Sequence, residues 1–247
     1  MKTVFQWTNS SNDLTKFIKY FSKIYFEDRP VKILEAGADS GSDTEYFCQM
    51  FSNSEIYSFE PDPRRYERLK SIASMYSNLH YENCALAAEE GLIDFYVSTR
   101  VDNENKKEVW GSSSTLRPKE HLRIHPQIKF DDQPIKVRST NLDLWMKKNL
   151  VPTFDMMWLD MQGFEYDVLD SSPSSTMLCD FIYSEVQLIE TYEGNKLYDN
   201  LKHLLRSRGF EPIIEELHWE DAGNVLFFKK DLIEKAREKL NIASSLF

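Results

Sequence analysis

Cysteine is scarce in this chain: Cys48, Cys84 and Cys179 are the only three, far apart and without a Cys-x-x-Cys pair. Such spacing suggests neither a disulfide framework nor a zinc site, and the thiols read as reduced and intracellular. No apolar run approaches the about 18 residues needed to cross a bilayer. Met1 to Asn12 also lacks the basic-then-apolar order of a secretory leader. The expectation is a cytoplasmic protein without a membrane span. Positive charge is short as well: 30 Lys and Arg against 40 Asp and Glu leave a net charge of -10. That balance works against a broad nucleic-acid footprint or an anionic membrane surface. Internal repeats and low-complexity tracts are missing too, and at 247 residues one large α/β domain with a well-buried core is the default.

One stretch carries most of the functional signal, Val31 to Gly41, reading Val-Lys-Ile-Leu-Glu-Ala-Gly-Ala-Asp-Ser-Gly. Val31, Ile33 and Leu34 form a short apolar run closed by an acid and a glycine, as a buried parallel strand ends where it meets a ligand. The strand should stop near Ala36. Gly37 and Gly41 permit a sharp turn and a close approach, and Asp43 to Phe51 then reads as a helix with Ser42 or Asp43 near its cap. Such a unit serves nucleotide-like ligands, or it is an ordinary turn that binds nothing. A dinucleotide site wants Gly-x-Gly-x-x-Gly, but counting from Gly37 the second and third glycine positions hold Asp39 and Ser42. Asp39 would face a diphosphate with like charge, which disfavours a nicotinamide-linked oxidoreductase. Glu35 and Asp39 better suit the positive sulfonium and ammonium of S-adenosylmethionine.

Leu14, Phe17, Ile18, Phe21 and Tyr25 recur at helical spacing, making residues 1–30 a helical segment that packs on the sheet or caps the cleft. Ile56 to Phe59 reads as a second strand ending at Glu60-Pro61, followed by a helix from about Arg64 to Met75. Glu60 lies about 20 to 25 residues beyond the glycine turn, where a doubly wound fold places an acid on a ribose diol. His80 to Ala85 reads as a third strand, with Asn83 and Ala85 at its end beside the adenine. Ile93 to Val97 reads as an added strand. Regular patterning breaks down over residues 98–134, which hold Trp110, Ser113, Ser114, His121 and His125. A long irregular segment of this kind is read as a lid or acceptor-binding insertion.

Ile135 to Ser139 is strand-like, and Thr140-Asn141-Leu142-Asp143 opens a short helix. The apolar run from Phe154 is closed by Asp160, directly before Met161-Gln162-Gly163-Phe164-Glu165. This second junction of strand, acid, glycine and helix should share the carboxyl edge of the sheet with Gly37 and Glu60. A strand at Phe181 to Val186, a helix at Leu197 to Leu205, an antiparallel pair at Glu211 to Leu217 and Asn224 to Phe228, and a C-terminal helix over 231–247 complete the chain.

Taken in order, Glu35-Ala-Gly-Ala-Asp-Ser-Gly41, Phe59-Glu60-Pro61, Asn83-Cys-Ala85-Leu86, Thr140-Asn-Leu-Asp143, Asp160-Met-Gln-Gly-Phe-Glu165, Ser184-Glu185-Val186, Gly209-Phe210 and Asn224-Val-Leu-Phe-Phe resemble the FkbM family of S-adenosylmethionine-dependent methyltransferases. The resemblance runs from about Val31 to Lys229. It implies an α/β class I methyltransferase domain over residues 31–230: a Rossmann-like, doubly wound, seven-stranded, mostly parallel sheet with an antiparallel last strand. It further implies that Glu35, Gly37 and Gly41 line the methionine end of the cofactor, with Ala38 and Asp39 beside them. Glu60 with Pro61 would meet the ribose, and Asn83 with Ala85 the adenine. The chain departs from the family pattern with Glu for Asp at Glu35, Asp for Asn at Asp39 and Gln for Glu at Gln162.

The family mostly methylates oxygen, often hydroxyls of sugars, polysaccharides or natural products. In-line displacement at the sulfonium carbon leaves the protein to align the nucleophilic oxygen and remove its proton. Asp160 is the first candidate for that base, and also touches the cofactor side; Glu165 and Glu185 are its companions. Asp160 and Glu185 would be the oxygen ligands if a divalent cation such as Mg2+ takes part. Glu165 has a second reading, as a brace for the following helix turn. His121 and His125 are alternative bases from the insertion, Ser113 and Ser114 are acceptor contacts, and Trp110 offers a ring for a sugar face. The expected function is an O-methyltransferase acting on a sugar, glycan or other hydroxylated small molecule. An RNA-ribose or protein methyltransferase and a non-catalytic adenosyl-binding module are the alternatives.

Overall fold

The structure is a computed structural model and describes residues 5–6, 14–101, 108–109, 111–217 and 219–246. Its central sheet is built from β1 (Lys32–Ala36), β2 (Glu55–Phe59), β3 (Leu79–Glu82), β4 (Met156–Leu159), β5 (Phe181–Gln187), β6 (Phe210–Glu216) and β7 (Ala222–Lys229). The spatial order is β3-β2-β1-β4-β5-β7-β6, and β7 alone of these runs antiparallel to its neighbours. This is the Rossmann-like arrangement expected, extended at the β6 edge by the two-residue parallel strand Phe5–Gln6. Strand order reverses between β1 and β4, so the carboxyl ends of those two strands flank the crevice in which open α/β sheets bind ligands.

The helices that flank the sheet include α1 (Leu14–Phe26), α2 (Ser42–Met50), α3 (Tyr66–Met75), α4 (Leu142–Asn149), α5 (Glu165–Ser171), α6 (Tyr198–Ser207) and α7 (Ile233–Leu246). Successive side chains of a strand point to opposite faces. Ile33, Ile56, Met156 and Phe181 therefore pack with α1, α2, α3 and α7 in one core, while Leu34, Tyr57, Met157 and Ile182 pack with α4, α5 and α6 in another. Burial on both faces explains why β4 reads as the unbroken apolar run Met-Met-Trp-Leu. Helix α1 lies on the sheet, its Phe26 ring stacked 5.2 Å from that of Phe181, which in turn stacks on Phe228 at 4.6 Å.

Local differences from the sequence expectations have local causes. The stretch from His80 to Ala85 divides between two sheets: β3 stops at Glu82, and Ala85–Leu86 pairs with Ile135–Thr140, which also pairs antiparallel with Gly91–Phe95. Asn83 makes the break, its Nδ2 donating to the carbonyl of Glu60 at 2.8 Å. Neither Ser42 nor Asp43 caps α2; Gly41 is the N-cap and no side chain completes it. Residues 98–134 are more regular than their pattern suggests, with strands Ser98–Val101, Glu108–Val109 and Ile128–Phe130 in a small sheet and a short helix, His121–Ile124. Elements of two to four residues are too short to show a period. Trp110 lies outside the described residues. Among the described residues no helix is long and apolar enough to cross a membrane.

Candidate active site

Leu159 of β4 pairs with Ala36 of β1, so the turns leaving the two strands meet. A Cβ on Gly37 would stand 1.7 Å from the carbonyl oxygen of Asp160, and its φ of +87° lies in the left-handed region. Only a residue without a side chain allows the turns this close. Gly37 and Ala38 both donate their N–H groups to the carbonyl of Phe59, at 3.0 and 3.1 Å, which folds the turn over the end of β2. At Gly41 the missing Cβ leaves room for Ile72, whose Cδ1 would be 2.5 Å away.

A cavity of about 190 Å³ opens beside this turn, lined among others by Gly37, Asp39, Glu60, Pro61, Ala85 and Asp160. Glu60 is 5% exposed. Its Oε2 accepts from the Asp39 N–H and its Oε1 from the Asp62 N–H, both at 2.7 Å. Burial pushes its carboxyl up to about 8 against the pull of those two donors. A carboxylate offers about four lone-pair sites, so Glu60 can still accept from a ligand diol. Asp39 is held by Arg65, Nη2 to Oδ1 at 2.5 Å.

Other expected cofactor residues stand behind the wall rather than in it. Glu35 is 1% exposed and accepts from the hydroxyls of Thr44 and Ser58, each at 2.5 Å; burial pushes its carboxyl up to about 7. Asn83 ties the end of β3 to the end of β2 through its bond to Glu60. Neither side chain, nor Ala38 or Gly41, lines the cavity.

The catalytic candidates form a connected group at the ends of β4 and β5. Asp160 reaches solvent in the cavity yet is walled by protein on most sides, and that crowding raises its carboxyl above the usual range. Gln162 stands in the left-handed region at φ 54° and aims its amide between two acids. Its Nε2 donates to Asp160 Oδ1 at 2.9 Å and to Glu185 Oε2 at 2.8 Å. Asp160 and Glu185 also share a hydrogen bond, and burial beside the Asp160 charge lifts Glu185 well above the carboxylate range. Glu165, 3% exposed, does not line this cavity: its Oε1 accepts from the Met161 N–H at 2.6 Å and braces the turn after β4. Burial pushes Glu165 up to about 8. Among the described residues no group of three or more His, Cys, Asp or Glu is arranged to hold a metal ion.

A second cavity, about 330 Å³, adjoins the first and shares Gly111 and Gln162 with it. Glu185, His121, His125, Tyr192, Trp219 and Asp221 also line it. His125 Nε2 lies 2.6 Å from Asp221 Oδ2. His121 is 4% exposed with its ring centre 4.8 Å from that of His125, and burial pushes its imidazole down to about 4. The Tyr192 hydroxyl is 3.0 Å from Gln162 Oε1 and 3.0 Å from the Ser112 carbonyl. Ser113 lines the first cavity, and Ser114 donates its hydroxyl to the Gln162 carbonyl at 2.9 Å.

Sequence reasoning missed Tyr192, Asp221 and the bridging position of Gln162. All three follow the carboxyl ends of β4 and β5 or precede β7 at that same edge, so sheet polarity was the one signal that pointed to them.

A family model described as the methyltransferase FkbM domain matches residues 35–212. The 2-O-methyltransferase NoeI of Sinorhizobium fredii is 33% identical over 163 residues, covering 66% of this chain and 65% of that protein's length. Among solved structures, the fibrillarin pre-rRNA processing protein of Methanococcus jannaschii matches with a TM-score of 0.49 at 13% identity, over 82% of this chain and 67% of that one. Aeropyrum pernix fibrillarin, in complex with natively bound S-adenosyl-L-methionine, matches at 0.48 and 13%, over 86% and 74%. With the family model spanning the glycine turn, both junctions at the carboxyl edge and the start of β6, the chain belongs to the FkbM family of S-adenosylmethionine-dependent methyltransferases.

Proposed function

We propose that this protein is an O-methyltransferase that uses S-adenosylmethionine to methylate a hydroxyl of a sugar, glycan or other hydroxylated small molecule. The observation that carries the reading is the pair of adjoining cavities with Gln162 in their common wall. The first suits a cationic adenosyl ligand. Glu60 keeps lone pairs for the ribose hydroxyls, Leu86 and Phe95 give apolar surface for a base, and Asp39 with Asp160 sets negative charge where the sulfonium and ammonium need it. Bound there, S-adenosylmethionine supplies a methyl carbon made electrophilic by its positive sulfur.

What remains for the chain is to orient the acceptor oxygen, keep water from competing and accept a proton. Among the described residues the second cavity is lined with hydrogen-bonding side chains and no lysine or arginine, which fits a neutral, hydroxyl-rich acceptor. The similarity to a protein named as a 2-O-methyltransferase supports oxygen as the methylated atom.

Thermal unfolding with S-adenosylhomocysteine, with NAD and without ligand tests the donor half. A ligand at 100 times its dissociation constant adds about 2.7 kcal/mol to stability. Stabilisation by the adenosyl ligand and none by NAD is expected; no shift at millimolar S-adenosylhomocysteine refutes the reading. Transfer of labelled methyl to a panel of methyl pyranosides tests the acceptor half, and binding of the adenosyl ligand without transfer to any hydroxyl refutes that half alone.

A further inference from the structure

We infer that the acceptor occupies the second cavity and gives its hydroxyl proton to His125, which Asp221 holds in place. The inference rests on the methyltransferase reading and assigns the proton acceptor within it.

The geometry starts from an ion-pair contact between distant loops. His125 ends the turn after the helix His121–Ile124, Asp221 sits in the turn before β7, and the two are joined Nε2 to Oδ2 at 2.6 Å. The Asp221 side chain is 13% exposed and that of His125 33%, so the carboxylate is shielded while the imidazole meets the cavity. With Nε2–H donated to Asp221, the Nδ1 lone pair is the free acceptor, the arrangement by which a carboxylate fixes a histidine tautomer and steadies the cation it becomes.

The other groups facing His125 are less fit for this work. Glu185 is buried beside Asp160 and holds its proton tightly, so it offers a donor rather than an acceptor. His121 is neutral and almost fully buried, and its Nδ1 finds no partner. Its neutrality matters, because a second cation 4.8 Å away would oppose protonation of His125. Tyr192 is a buried phenol raised further by the nearby acids. Arg123, on the adjacent turn, is paired with Glu120 at 2.8 Å and Glu220 at 3.6 Å.

Position also favours the pair. The second cavity shares Gln162 with the donor cavity, so a molecule filling it abuts the donor. Gln187 and Thr191 add hydrogen-bonding capacity, and Trp219, 45% exposed, presents an aromatic surface of the kind that covers the C–H face of a pyranose. The step balances: the acceptor oxygen forms the new O–CH3 bond as the C–S bond breaks and its electron pair returns to sulfur. The hydroxyl proton passes to His125 Nδ1, leaving an imidazolium against the Asp221 carboxylate.

The test uses the full chain with labelled S-adenosylmethionine and a panel of methyl pyranosides, comparing wild type, His125→Ala and Asp221→Asn. Binding of S-adenosylhomocysteine to each variant serves as the check of folding. His125→Ala should lose about 100-fold or more in kcat/KM while keeping its affinity for S-adenosylhomocysteine, and added imidazole should restore part of the rate. Asp221→Asn should lower kcat about 10-fold while leaving KM for the pyranoside and the affinity for S-adenosylhomocysteine unchanged, because the imidazole loses the carboxylate that orients it. His125→Ala turning over within threefold of wild type overturns the inference and leaves the methyltransferase reading intact, as does an Asp221→Asn variant whose kcat is unchanged. A wild-type protein that binds S-adenosylhomocysteine and methylates no hydroxyl overturns both.

Discussion

Gly37→Ala isolates what the contact between the turns after β1 and β4 is worth. Two costs add. An alanine at φ +87° pays the left-handed strain of a non-glycine residue, roughly 1–3 kcal/mol. Its Cβ also falls 1.7 Å from the Asp160 carbonyl oxygen, a backbone atom that moves only if β1 and β4 separate; overpacking of that kind costs about 1–3 kcal/mol more. The sum, roughly 2–6 kcal/mol, is a large part of the 5–15 kcal/mol available to a folded domain. Gly209→Ala separates the two costs, since Gly209 has nearly the same φ, +86°, and nothing within 4 Å of its added Cβ. Urea unfolding of both variants reads the difference as the steric part, and calorimetry with S-adenosylhomocysteine reads its effect on the donor cavity. Gly37→Ala should be the less stable by about 1–3 kcal/mol and should bind the adenosyl ligand more weakly. Equal stabilities, with unchanged binding, would falsify the account of Gly37 as a contact glycine.

Other expectations follow from the same geometry. Glu60→Gln should weaken S-adenosylhomocysteine binding about 10-fold, the worth of one ordinary hydrogen bond, and titration calorimetry with an unchanged constant would remove Glu60 from the ribose. Gln162→Leu strips the amide from between Asp160 and Glu185 and should cost about 1–3 kcal/mol per acceptor left unpaired, measured by urea unfolding; full stability would mean that the amide bridge contributes nothing. Stability should also fall with rising pH. Burial lifts Glu35 to about 7 and both Glu60 and Glu165 to about 8, from 4.5 when exposed. The folded state therefore holds these protons more tightly than the unfolded one, and the contribution is complete below 4.5 and lost as pH rises through 7 to 8. Unfolding free energies measured from pH 4.5 to 8.5 that instead climb across this window would show the three carboxyls to be ionised in place.

The frame of the fold was legible because it is written in runs that obey strand and helix periods. Met156–Leu159 announces a buried parallel strand by its unbroken apolar character and Lys32–Ala36 by its Ile-Leu centre before an acid and a glycine, and the acids Glu60 and Asp160 follow strand ends where the sheet places its crevice. Pairings made through space left no such trace. His125 and Asp221 are 96 residues apart and meet only because two loops converge. Gln162, singled out for its departure from the family pattern, turns out to join two acids from different strands. The packing of Gly41 against Ile72 in α3 was equally hidden, because it depends on tertiary structure. The split at Asn83 was hidden for a like reason, since its deciding bond is to the backbone of Glu60.

Gln162 touches Asp160 in the wall of the first cavity and Glu185 and Tyr192 in that of the second, with one amide serving all three. An amide has a single orientation at a time, so a ligand that turned Gln162 toward one cavity would change what it presents to the other. Any free energy that filling one cavity spends or gains by turning Gln162 is returned in equal amount when the order is reversed, as linkage requires. A molecule that turned Gln162 from one cavity would thereby be felt in the other without touching what lies there.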